Sequence, residues 1–133
     1  MALLKGAAGF PVIESLRGRR EAGGTYPPLI YPSTYLACTI DCAWYLELHP
    51  LGPERTRLVH GSLFPRSRRE RTDFDAIAAN YYHRWDITTD EDIVASERQQ
   101  RGLKSPFSVP GRFSHREPLV HVIDNWILDR VLS

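Results

Sequence analysis

Hydrophobic and polar positions alternate with a period of two in the middle of the chain. From Arg55 to Phe64 every second residue falls on one side, which carries Thr56, Leu58, His60, Ser62 and Phe64. Residues 34–48 are rich in Thr, Tyr, Ile and Trp, which favour strands, and a bend is expected at Asp41-Cys42 because the segment is too long for one flat strand. Turn residues at 49–54 separate the two segments. The pattern predicts an antiparallel hairpin of residues 43–49 and 55–64.

Beyond Pro65 the hydrophobic period changes to 3.6, which indicates helices. The first predicted helix has Thr72 as its N-cap and a single apolar stripe, which consists of Phe74, Ile77, Ala78, Tyr81 and Trp85. A second helix is predicted from Asp90 to Gly102, and it has almost no apolar stripe. The third begins with a Ser114–Glu117 capping box, and its stripe comprises Leu119, Val120, Ile123, Trp126, Ile127 and Val131.

The order of these elements predicts the fold class. Strands precede helices without β-α-β alternation, which is typical of an α+β domain with an antiparallel sheet. Residues 1–28 are rich in glycine and end in Pro27-Pro28, so they are interpreted as an irregular lead-in to a domain at 29–133. A hairpin alone is not stable, and a partial sheet leaves a free edge. We therefore expect a homo-oligomer or a complementing chain segment.

Charge and hydropathy exclude several classes of protein. The 133 residues include 17 basic and 16 acidic ones, a net charge of +1, which argues against nucleic acid or an anionic membrane as a partner. No apolar run reaches the ~20 residues of a membrane helix. Lys5 interrupts the apolar start, so no secretion signal is predicted and a cytoplasmic location is expected. The basic run at 66–71 is interpreted as a solvated connection rather than a docking surface.

The two cysteines, Cys38 and Cys42, fall within the segment predicted to be a bent strand. Four residues along a strand separate them by roughly 13 Å, whereas a disulfide needs Cα atoms within about 7 Å. The sequence thus predicts two reduced thiols and no bridge between them.

Several short motifs follow one another in a fixed order. They are Tyr31-Pro32-Ser33, the stretch from Pro50 to Thr56, Asp90-Glu91-Asp92, Glu97, the stretch from Gln100 to Ser105, the stretch from Pro110 to Ser114, Glu117 and Trp126. In this order and spacing they resemble the C-terminal part of the catalytic domain of Rieske non-haem iron ring-hydroxylating oxygenase α subunits. The resemblance covers roughly residues 29–132.

The resemblance implies a fold and a metal site. The family's catalytic domain has a helix-grip fold (START-like, or Bet v 1-like), of which this chain would be a part. It holds a mononuclear Fe(II) through two histidines and one aspartate, which leaves positions open for O₂ and substrate. Alignment on Glu97 and Gln100-Arg101-Gly102 places the aspartate ligand at Asp92, with Asp90 as the second choice. A structural alternative stays open, in which Thr89 and Asp92 form a capping box at a helix start.

Other family features do not match. The family's iron histidines form a His-x₄-His motif, and the chain has no such pair among His49, His60, His83, His115 and His121. Its Rieske [2Fe–2S] cluster needs two cysteines and two histidines on an N-terminal domain, and Cys38 and Cys42 lack that pattern. The chain is therefore interpreted as a truncated oxygenase segment, inactive alone, that contributes one iron ligand.

The resemblance also implies a substrate pocket and protein partners. Candidate pocket residues are Trp44, Leu46, Leu58, His60 and Ser62. The substrate class in the family is aromatic or quaternary-amine, with either mono- or dioxygenation, and a ferredoxin and reductase supply electrons to the full system. Two alternatives stay open: a metal-free helix-grip module that binds a small molecule, and a structural remnant without a ligand.

Overall fold

The computed structural model describes residues 3–20 and 23–133. The chain divides into two compact units, with the boundary between Ile93 and Val94. The first unit contains a sheet and most of a long helix, and the second contains the end of that helix and a C-terminal helix. No helix in the described part of the chain is long and apolar enough to cross a membrane.

Four antiparallel strands form the sheet, in the order β1-β2-β3-β4. They are β1 (Leu29–Ile30), β2 (Thr34–Cys38), β3 (Ala43–Gly52) and β4 (Arg55–Leu63). The predicted hairpin is confirmed as β3 and β4, which pair from Ala43↔Leu63 to Gly52↔Arg55 with an irregularity between Pro50 and Gly52. Gly52 has a φ of 146°, which a side chain would disfavour, so glycine suits this turn.

The segment 34–48 is two strands, not one bent strand. The chain reverses direction at residues 39–42, where the Thr39 N–H donates to the Cys42 carbonyl oxygen at 2.9 Å, and Cys38 pairs with Ala43 across the hairpin. The predicted separation of the two cysteines along a strand is therefore wrong, because they flank a tight turn. Both thiols are free; Cys42 is buried and Cys38 is partly buried.

The helices are α1 (Arg66–Arg69), α2 (Phe74–Leu103) and α3 (Pro118–Val131). The two helices predicted between Thr72 and Gly102 are a single one, because the residues between Trp85 and Asp90 include no glycine or proline to interrupt it. Thr89 is a buried residue in the middle of α2, so its predicted role as a cap for Asp92 is wrong. Thr88 next to it donates its hydroxyl to the Arg84 carbonyl oxygen at 3.0 Å, as threonines within helices commonly do.

The predicted apolar stripe of α2 packs into the core of the first unit. Buried members of this core are Phe10, Cys42, Ala78, Tyr81 and Trp85, with Leu3, Trp44, Phe64, Phe74 and Ile77 packed around them. Phe10 comes from the irregular segment before β1, and its ring stacks on Tyr81 at 5.5 Å between centroids. Arg68 donates to the carbonyl oxygens of Pro11 and Val12 at 3.2 Å each, which holds that segment in place. The basic run was expected to be a solvated connection, but Arg68 within it contacts the N-terminal segment instead.

The second unit is much less buried. Its predicted capping residues do interact: the Ser114 N–H donates to the Glu117 carboxylate at 2.7 Å, and the Ser114 hydroxyl accepts from the Arg116 N–H at 3.2 Å. The helix itself begins at Pro118, a favourable first helical residue. None of the described residues of α3 is buried, and its stripe members Leu119, Val120, Ile127 and Val131 are all exposed.

Candidate active-site face

One face of the sheet lies against α2 and carries all five predicted pocket residues. The strand register pairs Trp44 with Ser62, Leu46 with His60, and Leu48 with Leu58. Side chains on a strand alternate between faces, so these three pairs lie on the same face in successive rows. The five residues predicted to line a pocket, Trp44, Leu46, Leu58, His60 and Ser62, thus lie on one surface, and each is partly buried. Their role in binding a substrate stays a prediction.

Two contacts show that α2 covers this face. The rings of Trp44 and Trp85 stack with centroids 4.6 Å apart and an angle of 14° between their planes. In the next row, His60 Nε2 lies 3.7 Å from Asp86 Oδ1, and the His60 side chain is 28% exposed. The face therefore has an aromatic end at Trp44 and Trp85 and a polar end at His60 and Asp86.

Several polar atoms beneath α2 are buried without a hydrogen-bond partner among the described residues. On this face they are the indole nitrogens Trp44 Nε1 and Trp85 Nε1 and the hydroxyl oxygens Ser62 Oγ and Thr89 Oγ1. Trp85 is 6% exposed and Thr89 is 7% exposed. Most buried polar groups in folded proteins have a hydrogen-bond partner, so four buried polar atoms without one on the same face are unusual.

A buried hydrogen-bond network borders the aromatic end. The Asp41 carboxylate is fully buried, and it accepts from the Tyr81 hydroxyl at 2.6 Å and from the Thr39 hydroxyl at 2.7 Å. The Tyr81 oxygen in turn accepts from the Phe10 N–H at 2.8 Å. Burial, followed by the bond to Asp41, raises the pKa of Tyr81, so its hydroxyl stays a donor. Burial also raises the pKa of the Cys42 thiol to about 11, so that thiol is neutral at physiological pH.

This network joins the β2–β3 turn, α2 and the N-terminal segment, and it fixes α2 against the sheet. The sequence did not reveal it, because Asp41 was interpreted only as a bend residue. Its partner Tyr81 lies 40 residues away. The sequence pattern identified Tyr81 only as a member of the apolar helical stripe.

The predicted iron ligand, Asp92, is an exposed residue near the end of the first unit. It follows Trp85 by seven residues, which at about 100° per residue places it roughly 20° from Trp85 around the helix. Asp92 therefore lies on the same side of α2 as the buried residues Tyr81, Trp85 and Thr89, with its own side chain exposed. Asp90 follows Trp85 by five residues and lies roughly 140° away, on the other side of α2.

Metal binding by the described residues alone has no support. Across residues 3–20 and 23–133, no group of three or more His, Cys, Asp or Glu side chains is placed to hold a metal ion. The iron of the resembling family would need three such ligands. The role of Asp92 as an iron ligand stays a prediction.

A separate cleft of about 920 Å³ opens beside α1 and the first turns of α2. Ser62 is the single predicted pocket residue that lines it, together with Phe64, Phe74, Tyr82 and three arginines, Arg66, Arg69 and Arg71. Two of these arginines are paired locally, Arg66 with Glu70 at 3.5 Å and Arg71 with Asp73 at 2.7 Å. The cleft thus borders the face beneath α2 at Ser62 and is otherwise lined by the arginines and rings beside α1.

Comparison with known proteins agrees with the fold. The ring hydroxylating alpha subunit (catalytic domain) family matches residues 5–133. The chain belongs to this family, and its α+β fold, with a four-stranded antiparallel sheet and C-terminal helices, is consistent with that membership.

One curated relative of this chain is an oxygenase subunit. The chain is 33% identical, over 129 residues, to the glycine betaine monooxygenase oxygenase subunit of Chromohalobacter salexigens. The match covers 94% of this chain and 28% of the relative, so the chain spans less than a third of that protein's length. No solved structure matches.

Proposed function

We propose that this chain forms the part of an oxygenase catalytic domain that contributes the carboxylate ligand, Asp92, to a mononuclear iron site. The position of Asp92 carries the proposal. The buried stripe of α2 runs through Tyr81, Trp85 and Thr89. Asp92 lies on the same side of the helix, roughly 20° from Trp85 around the axis. Asp90 lies on the other side of the helix, so it is the less suitable candidate.

Iron, when bound, would supply O₂ activation at this face, and the chain's own residues would position the substrate. Trp44, Trp85 and Leu46 offer apolar surface, and the Asp41–Tyr81 bond keeps α2 at a fixed distance from the sheet. His60 Nε2 lies 3.7 Å from Asp86 Oδ1, which gives the face a polar end. The substrate would lie between β3, β4 and the part of α2 that includes Thr89 and Asp92.

The substrate class follows from the relative's name. That protein is a glycine betaine monooxygenase, and we propose a similar small molecule, with a quaternary ammonium group and a carboxylate, for this chain. Trp44 and Trp85 lie on the proposed substrate face, where their indole N–H groups can donate to the carboxylate of such a molecule.

Within residues 3–20 and 23–133 no group of three His, Cys, Asp or Glu side chains is placed to hold a metal ion. We therefore propose that this chain by itself binds iron poorly and shows no O₂-dependent turnover. We propose that two histidines, and a Rieske [2Fe–2S] cluster that passes electrons from a ferredoxin and reductase, lie on other segments of the complete α subunit. The exposed apolar residues of α3 would pack against such a segment or against a second copy of the chain.

A metal-free small-molecule-binding module is the second candidate. The observation in its favour is that four buried polar atoms beneath α2 have no hydrogen-bond partner among the described residues. Both candidates use the same face, and iron content separates them.

The test replaces the matching C-terminal part of the Chromohalobacter salexigens subunit with this chain and measures iron in the purified chimera. We expect stoichiometric mononuclear iron and O₂-dependent turnover of glycine betaine in the chimera, and neither in the isolated chain. A chimera that folds, keeps its Rieske absorbance and contains no mononuclear iron would refute the oxygenase proposal in favour of the binding module.

A further inference from the structure

We propose that the indole N–H groups of Trp44 and Trp85 and the hydroxyls of Ser62 and Thr89 form a binding site for the carboxylate group of a small organic ligand. This inference rests on the proposed function for the identity of the ligand, a small ammonium carboxylate. Beyond the proposed function, it names the residues that bind the carboxylate group of this ligand.

The four groups belong to one small region. Trp44 and Ser62 are directly opposite each other on β3 and β4, so their Cβ atoms lie about 5 Å apart. Trp85 stacks on Trp44 at 4.6 Å between ring centroids. Thr89 follows Trp85 by one helical turn on the same side of α2. Two groups therefore come from the sheet and two from the helix that covers it.

Burial makes the unpaired state of these groups unfavourable. The four polar atoms are inaccessible, and none has a partner among the described residues. Thr89 is the most informative, because a threonine in a helix can ordinarily bond to the carbonyl one turn back. The adjacent Thr88 does so with Arg84, whereas the Thr89 hydroxyl is left for another acceptor.

The chemistry of the donors selects the ligand group. An indole nitrogen can only donate, and a hydroxyl can donate as well as accept. Four donors require a group with several acceptor sites, and a carboxylate offers about four lone-pair positions on two oxygens. A quaternary ammonium or alkyl group has no acceptor or donor and would leave all four groups unpaired. The geometry therefore favours a carboxylate at the aromatic end of the face.

Nearby charges are compatible with this assignment. The buried Asp41 carboxylate is already held by Tyr81 and Thr39, so those donors offset its charge. Asp86 is 63% exposed and lies near His60. A zwitterionic ligand can direct its cationic end toward Asp86 and its carboxylate toward the four donors, which suits an ammonium carboxylate better than a simple anion.

The experiment follows the indole N–H signals of the ¹⁵N-labelled 133-residue chain by NMR during titration with glycine betaine. Choline, which has an alcohol in place of the carboxylate, and acetate, which lacks the ammonium group, are the matched probes. The chain has three tryptophans, and Trp126 in the second unit is the internal control. Tryptophan-to-phenylalanine variants assign the three signals.

We expect glycine betaine to shift the Trp44 and Trp85 signals downfield and to leave Trp126 unchanged, with a weaker response to acetate and none to choline. Thr89→Val and Ser62→Ala should each weaken glycine betaine binding by about tenfold, the scale of one hydrogen bond to a charged group. Thr88→Val, one residue from Thr89, should leave the affinity unchanged. The dispersion of each variant's spectrum shows whether it is folded.

Equal shifts with choline, equal shifts at Trp126, or no response to glycine betaine would each overturn the inference. An unchanged affinity in both folded variants, Thr89→Val and Ser62→Ala, would also do so. None of these readouts depends on iron. If the chimera binds iron and glycine betaine leaves the indole signals unchanged, the carboxylate site is refuted and the proposed function is not. If glycine betaine shifts the indole signals and the chimera binds no iron, only the iron site is refuted.

Discussion

Two apolar helical stripes in this chain have similar spacing and different surroundings. The stripe of α2 from Phe74 to Trp85 lies in an aromatic core, where Tyr81 is fully buried. The stripe of α3 has Ile127 at 44% and Val131 at 73% exposed. Periodicity is a property of the helix alone, whereas burial requires a partner surface. The first stripe has the β-sheet as its partner, and no described residue of α3 is buried by any part of this chain.

The comparison also applies within α2. Up to Thr89 the helix contributes a buried residue at nearly every turn, and from Asp90 to Leu103 all its residues are exposed. The transition lies between Thr89 and Asp90, and Asp92 follows on the same side of the helix as Trp85. We propose that this exposed carboxylate faces a cation, which would stabilise its charge.

The largest expected effect contrasts a phenylalanine in the core with one in the second unit. Phe10→Ala should lower the free energy of unfolding by about 3–5 kcal/mol, because it removes a ring that is 2% exposed and stacked on two others. Phe107→Ala, at a ring that is 89% exposed, should change it by less than about 0.5 kcal/mol. Urea denaturation of the two variants measures both values; similar effects would mean that the N-terminal segment does not belong to the core.

A smaller effect tests the buried network that holds α2 on the sheet. Tyr81→Phe keeps the ring and removes the hydroxyl, which leaves the buried Asp41 carboxylate with one fewer donor and the Phe10 N–H without an acceptor. The expected loss is about 2–3 kcal/mol in urea denaturation, the range for a hydrogen bond to a charged group. Tyr82→Phe is the neighbouring control, and because Tyr82 is 45% exposed its loss should be close to zero. Equal stability of the two variants would contradict the network.

The smallest effect on stability, with a clear effect on association, is expected in α3. Ile127→Lys introduces a charge into the exposed apolar stripe and should shift the chain from an oligomer to a monomer in light scattering without changing the unfolding of the first unit. Asn125→Lys adds the same side chain roughly 160° around the helix and should leave the oligomer intact. A monomeric wild-type chain, or dissociation by both substitutions alike, would show that the stripe is not an association surface.

How much the sequence predicted depends on the range of the interactions involved. The β3–β4 hairpin and the Phe74–Trp85 stripe were predictable because alternation and helical period are local signals. The pairing of Leu46 with His60 on one face is given by the strand register of the structure. The turn at Thr39–Cys42 was missed because Thr and Cys also suit strands.

Long-range partners explain the remaining errors. Thr89 was interpreted as a cap because threonine before a cluster of acids resembles a helix start, and only the packing against the sheet shows that the helix continues. Phe10 lies 71 residues from Tyr81 in sequence, so no local pattern assigned it to the core. The family resemblance selected Asp92 over Asp90, and the helical geometry now gives an independent reason for the same choice.

The central claim is that Asp92, and not Asp90, contributes to the iron site, and iron content of the chimera with each substitution tests it most directly. Asp92→Ala should abolish mononuclear iron while Rieske absorbance is retained, because the ligand is lost and the fold of the sheet is untouched. Asp90→Ala, two residues away on the other side of α2, should retain stoichiometric iron. Iron retained in Asp92→Ala, or lost equally in both variants, would contradict the assignment.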